Sequence, residues 1–423
     1  MKQLSFLYKA ISWFCILLLT VSSLSAQQMP EKGNEIGTLY NCNIVDTDSG
    51  EILYGQTVVV EDGVIIKISP SKKRIKKGEI DLSGKYIIPG LIDSHTHWGS
   101  FGQDSTMAAE LSAEYLKCGV TTVRDVGGNV LNIKDHLKHV AEGAYMGPDV
   151  YYSSFWATGD YHIMDYDYRG WDGDKNACPW SRMFSVKDST DQAIERAVLE
   201  AKAIGCTGFK LYINYSEEDL ARIIPIIKKH GMKVWGHASQ VHGAKAIDVA
   251  GSGIEVVSHA YMLADIFESR DSLTFEELEY VKQVCKALKK NDIVLDITAH
   301  ISLEGDMPYS VDIIKEAYAA GVRFVVGTDY FGCAVPDEIK RLKECGISNI
   351  DILRAATLTG AEIIGQAGKL GVIAEGAEAD IIVLPGNPVK DLDVLNSVEA
   401  TIVDGRIGDK ECFQYCMQCC VYN

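Results

Sequence analysis

Proline is scarce, at 10 in 423 residues, and no stretch is repetitive or biased toward a few residue types. A long polyproline or low-complexity segment is therefore excluded. Positive charge is also short: 41 Lys and Arg stand against 58 Asp and Glu, a formal net charge of -17. One basic run, SKKRIKK (Ser71 to Lys77), lies between strand-like segments and reads as a solvated hairpin turn. No nucleic-acid footprint is expected from it, and the acidic body disfavours anionic polymers as substrates. What is present is ordinary for a globular protein with a sizeable core: 47% apolar and 23% charged residues.

The N-terminus lacks the length of a membrane helix. Lys2 and Lys9 flank the start of an apolar stretch, Ile11 to Val21, that runs into Ser22-Ser23-Leu24-Ser25-Ala26. A positive start, a short apolar stretch and a small-x-small ending read as a signal peptide over residues 1–26. The mature chain is then exported, periplasmic or secreted, with no stable membrane span; an uncleaved anchor is the competing reading. The 12 cysteines are scattered except for Cys412, Cys416, Cys419 and Cys420. Their spacing lacks the paired pattern of a zinc finger, so residues 412–423 read as a Cys-rich tail, disulfide-bonded or disordered.

Between Ile36 and Tyr86 short β-branched runs alternate with turns, and Glu61-Asp62-Gly63 inside ILYGQTVVVEDGVIIKIS signals a hairpin. The texture then changes. Apolar runs GLIDSHTH, VTTVRDV, DVYYSSF, CTGFKLYI, KVWGHA, IEVVSHA, DIVLDITAH and VRFVVGTD alternate with amphipathic stretches such as ERAVLEAKAIG and EEDLARIIPIIKKHG. Short apolar strands alternating with helices imply a parallel sheet covered on both faces, and eight of them imply a closed (β/α)8 barrel, a TIM-like fold of the α/β class. Past Gly371 strand-and-turn texture returns in ADIIVLPG and VEATIVDGRI. The expected organisation is a barrel over 89–370 and a small β-sandwich domain from 27–88 and 371–411.

Side chains at the C-terminal ends of barrel strands share one mouth. His95, Thr96 and His97 end the first strand, Lys210 the fourth, His237 the fifth, His259 the sixth, His300 the seventh and Asp329 the last. Any one has a plainer explanation: Lys210 can snorkel to water and Asp329 can cap a helix. As a set they are hard to explain without a metal. His-x-His on an extended segment aims both imidazoles to one side, and neutral nitrogens with a carboxylate suit zinc.

Pro89-Gly90-Leu91-Ile92-Asp93-Ser94-His95-Thr96-His97 resembles the opening signature of the amidohydrolase superfamily, and Lys210, His237, His259 and Asp329 are similar to its remaining ligands in the same order. Thr122 to Gly128 and Tyr215-Ser216-Glu217-Glu218 resemble its prolidase-like and imidazolonepropionase-like branch. The resemblance implies two divalent metal ions, zinc above all, bridged by Lys210 carried as an N6-carboxylated carbamate. His95, His97 and Asp329 would hold the inner ion, and His237 and His259 the outer. Asp329 would act as general base and then acid. With Lys210 unmodified, His95, His97, His237 and Asp329 remain sufficient for a single zinc.

Substrate contacts are expected from His162, Tyr215, Arg124 and His300, with Arg124 either gripping a substrate carboxylate or pairing with Asp125. The aromatic and acidic stretch Asp165 to Trp180 reads as a lid. The implied activity is hydrolysis of an amide in a small molecule, a dipeptide (Xaa-Pro-like) or N-acyl amino acid. Ring-opening of a cyclic amide is the enzymatic alternative, and a non-catalytic metal-binding barrel is the alternative from another class. A homo-oligomer stays open.

Overall fold

The computed structural model describes residues 34–409 except 73, 74, 76, 102, 103, 159–180, 184, 185, 187, 188 and 331. The stretch read as a leader (1–26), His162, the stretch Asp165 to Trp180 and the Cys-rich tail lie outside the described residues.

The eight apolar runs form eight parallel strands: β1 (Leu91–Thr96), β2 (Val120–Asp125), β3 (Asp149–Ala157), β4 (Gly208–Leu211), β5 (Lys233–His237), β6 (Val256–Ser258), β7 (Val294–Asp296) and β8 (Phe324–Val325). Each pairs in parallel with the next. The backbone N–H of Ser94 donates to the Val326 carbonyl at 2.8 Å, and that of Asp329 to the His95 carbonyl at 2.9 Å, so the last strand returns to the first. Helices cover the outside for the reasons the sequence suggests. Thr190 caps the helix Asp191–Ile204, which ends on Gly205 at φ 103; Ser216 and Asp219 form a capping box on the helix Glu217–Lys229.

Alternation along each strand divides the core. Phe209, Leu211, Val234, Val257 and Leu295 point outward and pack with helix residues such as Ile223, Ile227, Val284 and Ile313. Ile92, Val126, Trp235, Val256, Val294 and Val325 share a second core. One step along β5, β6 and β7 on the same side come His237, Ser258 and Asp296, which lie side by side in register. The barrel is thus apolar at one level and polar at its C-terminal rim, where the fold leaves room for chemistry.

Strands from both ends of the described chain build a second, mixed sheet. Its order is Asn34–Glu35, Arg406–Asp409, Ala400–Val403, Ile381–Leu384, Tyr86–Pro89, Thr38–Val45, Ile52–Glu61 and Val64–Pro70, with Ile80–Asp81 beside Thr38–Val45. The hairpin forms at Asp62 and Gly63, both at positive φ as a tight two-residue turn requires. Leu39, Val58, Ile65, Ile87, Ile381 and Ile402 meet in a core separate from that of the barrel. Ile382, on the opposite face of its strand, packs into the barrel's outer core instead. Truncating this fully buried side chain with Ile382→Ala is expected to cost about 2–5 kcal/mol, read as a lower urea midpoint, whereas Leu53→Ala at an exposed strand position should cost under about 0.5 kcal/mol.

Candidate active site

His95 sits inside β1 and His97 one residue beyond it. Each imidazole is fixed through Nδ1: His95 to Asp296 Oδ2 at 2.6 Å, His97 to the Gly127 carbonyl at 2.7 Å. Both Nε2 atoms then face the Asp329 carboxylate, at 3.5 Å and 3.1 Å from Oδ1. From the other side of the mouth, the His259 ring lies 5.0 Å from His95 and 4.7 Å from His237, between centroids. His259 Nδ1 is 3.0 Å from the Thr298 hydroxyl. The structure therefore brings His95, His97, His237, His259 and Asp329 together at one place.

Lys210 points into the barrel from β4 and is buried, so it does not snorkel. Its Nζ donates to Ser258 Oγ at 3.1 Å, and the Ser258 hydroxyl donates to Asp296 Oδ2 at 2.9 Å. Burial pulls the Lys210 amine down to about 7, against the opposing pull of Asp296. That shift favours the neutral amine, the form with a free electron pair.

Electrostatics favour neutral nitrogens around one anion. Burial lowers His95, lowers His259 to about 3, and lowers His237, with help there from Lys210 and the neighbouring imidazoles. His97 is the exception: burial opposes its charge most strongly, but the hydrogen bond and charge of Asp329, the Asp125 charge and the Gly127 carbonyl together outweigh it and raise the pKa. Burial works against ionised Asp329 too, yet the surrounding imidazoles hold it well below the usual carboxylate range. His95, His97 and Asp329 offer ligand atoms all within 4.8 Å of one another. His237 Nδ1 is buried with no hydrogen-bond partner among the described residues, an atom that a cation would satisfy. Neutral imidazoles, an ionised carboxylate and an orphaned nitrogen fit a divalent metal.

The backbone carries strain here. His259, Thr298 and Asp329 all hold positive φ (72°, 53° and 50°), and Asn214 beyond β4 does likewise at 69°. Non-glycine residues rarely adopt this region outside sites where surrounding structure enforces it. Asp329 is not a helix cap: the helix Val335–Glu344 that follows it starts at Ala334.

Two expectations change. Arg124 has no solvent exposure and pairs with Asp296 at 2.9 Å, with its Nε on the Ser94 carbonyl at 2.5 Å. It is out of reach of a substrate carboxylate, and its partner is not Asp125, whose carboxylate accepts from the Gly99 and Gly127 backbones. His300 does not end β7, which stops at Asp296; it lies in the short helix Ala299–Glu304, 5.0 Å from the Tyr330 ring, with its backbone N–H on Glu338. Tyr215, the remaining expected contact, follows β4 and is fully buried, with no partner for its hydroxyl among the described residues. Asp296, Ser258, Thr298 and Glu338 escaped sequence reasoning. The register of strand ends was the available signal for the first two, since Asp296 precedes by four residues the histidine that drew attention.

The Lys210 amine gives a stability test. In the unfolded chain it holds its proton up to about 10.5, in the fold only to about 7. Between those values the unfolded state binds the extra proton, so stability from this group rises with pH across that window and its cost is complete below it. Urea unfolding of metal-free protein in carbonate-free buffer at pH 7.5 and 9.5 should show wild type gaining about 1 kcal/mol per pH unit relative to Lys210→Met.

A model of the family described as "Amidohydrolase family" matches residues 86–408. Ochratoxinase from Aspergillus niger is 23% identical over 86% of this chain and 84% of its own length. Imidazolonepropionase from Porphyromonas gingivalis is 25% identical over 88% of this chain and 96% of its own. A crystal structure of a Xaa-Pro dipeptidase with bound methionine superposes with a TM-score of 0.68 at 20% identity, over 88% of this chain and 99% of that one. With a family match that spans the whole barrel and the later strands of the small sheet, the chain belongs to the amidohydrolase family and is a hydrolase acting on carbon–nitrogen bonds.

Proposed function

We propose that the mature chain is an exported, metal-dependent amidohydrolase that cleaves the amide of a dipeptide (Xaa-Pro-like) or an N-acyl amino acid. The observation that carries the metal-dependent part is the convergence of His95, His97, His237, His259 and Asp329 on one mouth, with the buried Lys210 behind them. The substrate class is supported by the likeness to Xaa-Pro dipeptidase and by the resemblance at Tyr215 to Glu218. Export rests on the leader read at residues 1–26.

His95, His97 and Asp329 would hold one divalent ion, zinc by donor chemistry, and His237 and His259 a second, with Lys210 as a carbamate joining them. Bound there, the metals would lower the pKa of a water and polarise the scissile carbonyl. Asp329 takes the proton of the attacking water on its carboxylate and returns it to the leaving nitrogen, so the amide yields one acid and one amine. His97, whose Nδ1 is fixed by the Gly127 carbonyl, presents its Nε2 3.1 Å from Asp329 Oδ1, so the two donors are placed for one ion. Tyr215, His300 and His162 are proposed on the substrate side. The imidazolonepropionase relative, matched over nearly all its length, supports cyclic-amide hydrolysis as the second reading.

The test is zinc content per purified chain after expression with and without bicarbonate, followed by a dipeptide and N-acyl amino acid screen. Two equivalents that drop with Lys210→Ala are expected, together with a loss of about 10²–10⁴-fold in turnover for Asp329→Asn at largely retained metal. One equivalent indifferent to Lys210→Ala shifts the reading to cyclic amides. Absence of metal overturns it.

A further inference from the structure

We infer that Asp296 is a positioning residue that sets the donor direction of both His95 and Lys210, with Arg124 as its counter-charge. The inference rests on the metal-dependent reading above but concerns residues outside the six candidate ligands. One oxygen of Asp296, Oδ2, meets three groups: His95 Nδ1 at 2.6 Å, Arg124 Nη2 at 2.9 Å and Ser258 Oγ at 2.9 Å. A carboxylate oxygen has only lone pairs to offer, so all three partners must donate.

Two consequences follow from counting hydrogens. His95 carries its proton on Nδ1, which leaves the Nε2 lone pair directed at the Asp329 side of the mouth, the form that binds a metal. Ser258 spends its single hydrogen on Asp296, so toward Lys210 it can only accept, and Lys210 Nζ must present an N–H to it at 3.1 Å. An amine and a carbamate nitrogen both retain an N–H for this contact. Whatever is added to Nζ is then added away from Ser258.

The hub is built tightly. Ser258 and Asp296 are neighbours in the β6–β7 register, and Arg124 stacks at 4.7 Å over the Trp235 ring with no solvent exposure. A Cβ on Gly327 would stand 2.2 Å from Asp296 Oδ1 and 2.8 Å from His95 Cβ, so only glycine lets the Asp296 carboxylate and β1 approach this closely. A carboxylate–histidine pair of this kind fixes the tautomer and the ring plane of a ligating imidazole.

The experiment uses the full mature chain. Zn²⁺ affinity is measured on metal-stripped protein by chelator competition, and the His95 tautomer by ¹⁵N NMR of histidine-labelled, metal-free protein, with circular dichroism as the check on folding. Asp296→Asn is expected to weaken Zn²⁺ binding 10- to 100-fold and to shift the His95 proton population off Nδ1. Should the single variant fail to fold with Arg124 left unpaired, Asp296→Asn combined with Arg124→Met removes the buried charge and carries the same expectation. Ser258→Ala should leave the His95 tautomer unchanged and diminish the ¹³C carbamate resonance that wild type shows in ¹³C-bicarbonate. A folded variant lacking Asp296 with wild-type Zn²⁺ affinity and Nδ1 still protonated overturns the inference; an undiminished carbamate signal in Ser258→Ala overturns its lysine half. If wild type binds no Zn²⁺, the functional reading falls by itself, and the tautomer comparison still decides the role of Asp296.

Discussion

Asp296 and Arg124 have no contact with water, and each charge taken alone into such a place costs several kcal/mol. Their pairing at 2.9 Å makes the polar rim of the barrel possible. Through it β7 is joined to β2, through Ser258 to β6, and through His95 to β1, while Gly327 beyond β8 makes room for the carboxylate. Barrel closure and the orientation of the site are thus the same event. A disturbance of the pair would be felt at five strands at once, whereas loss of an exposed ion pair such as Lys138 with Glu142 would change little.

Around this fixed centre the chain accepts local strain. His259, Thr298 and Asp329 stand in the left-handed backbone region, which costs of order 1–3 kcal/mol per residue. The apolar layer beneath, with Trp235, Val256, Val294 and Val325, and the helix packing outside offset it. Burial there also strips water from the imidazoles, which leaves most of them neutral and concentrates negative charge on Asp329. The same low-dielectric walls that hold the fold together set the protonation state of the site.

The barrel and most of the candidate site were legible in the sequence because both rest on local regularities. Eight apolar runs mark the strands, polar residues at the ends of six of them mark the rim, and His95 and His97 reveal themselves by a spacing of two. Gly205 and Gly231, each closing an amphipathic stretch, marked helix ends through backbone chemistry that needs no tertiary knowledge. Arg124 was misjudged because its partner, Asp296, is distant in sequence, and only strand register brings the two together. His300 was misjudged because a strand's end cannot be read from apolarity: β7 stops at Asp296, and Thr298 turns the chain into a helix. Nothing in the order of residues announces that a threonine will hold a left-handed conformation.

Tyr86–Pro89 leads directly into β1, yet its partner across the small sheet is Ile381–Leu384, which follows the last helix of the barrel. The first strand entering the barrel therefore waits for a segment made after all eight barrel strands. Contacts so far apart in sequence form slowly, because a long loop must close before they give any stabilisation. Until then Tyr86–Pro89 presents an open strand edge on that side, a template for mispairing with other chains. Arrival of Ile381–Leu384 closes that edge and joins the two ends of the described chain in one sheet.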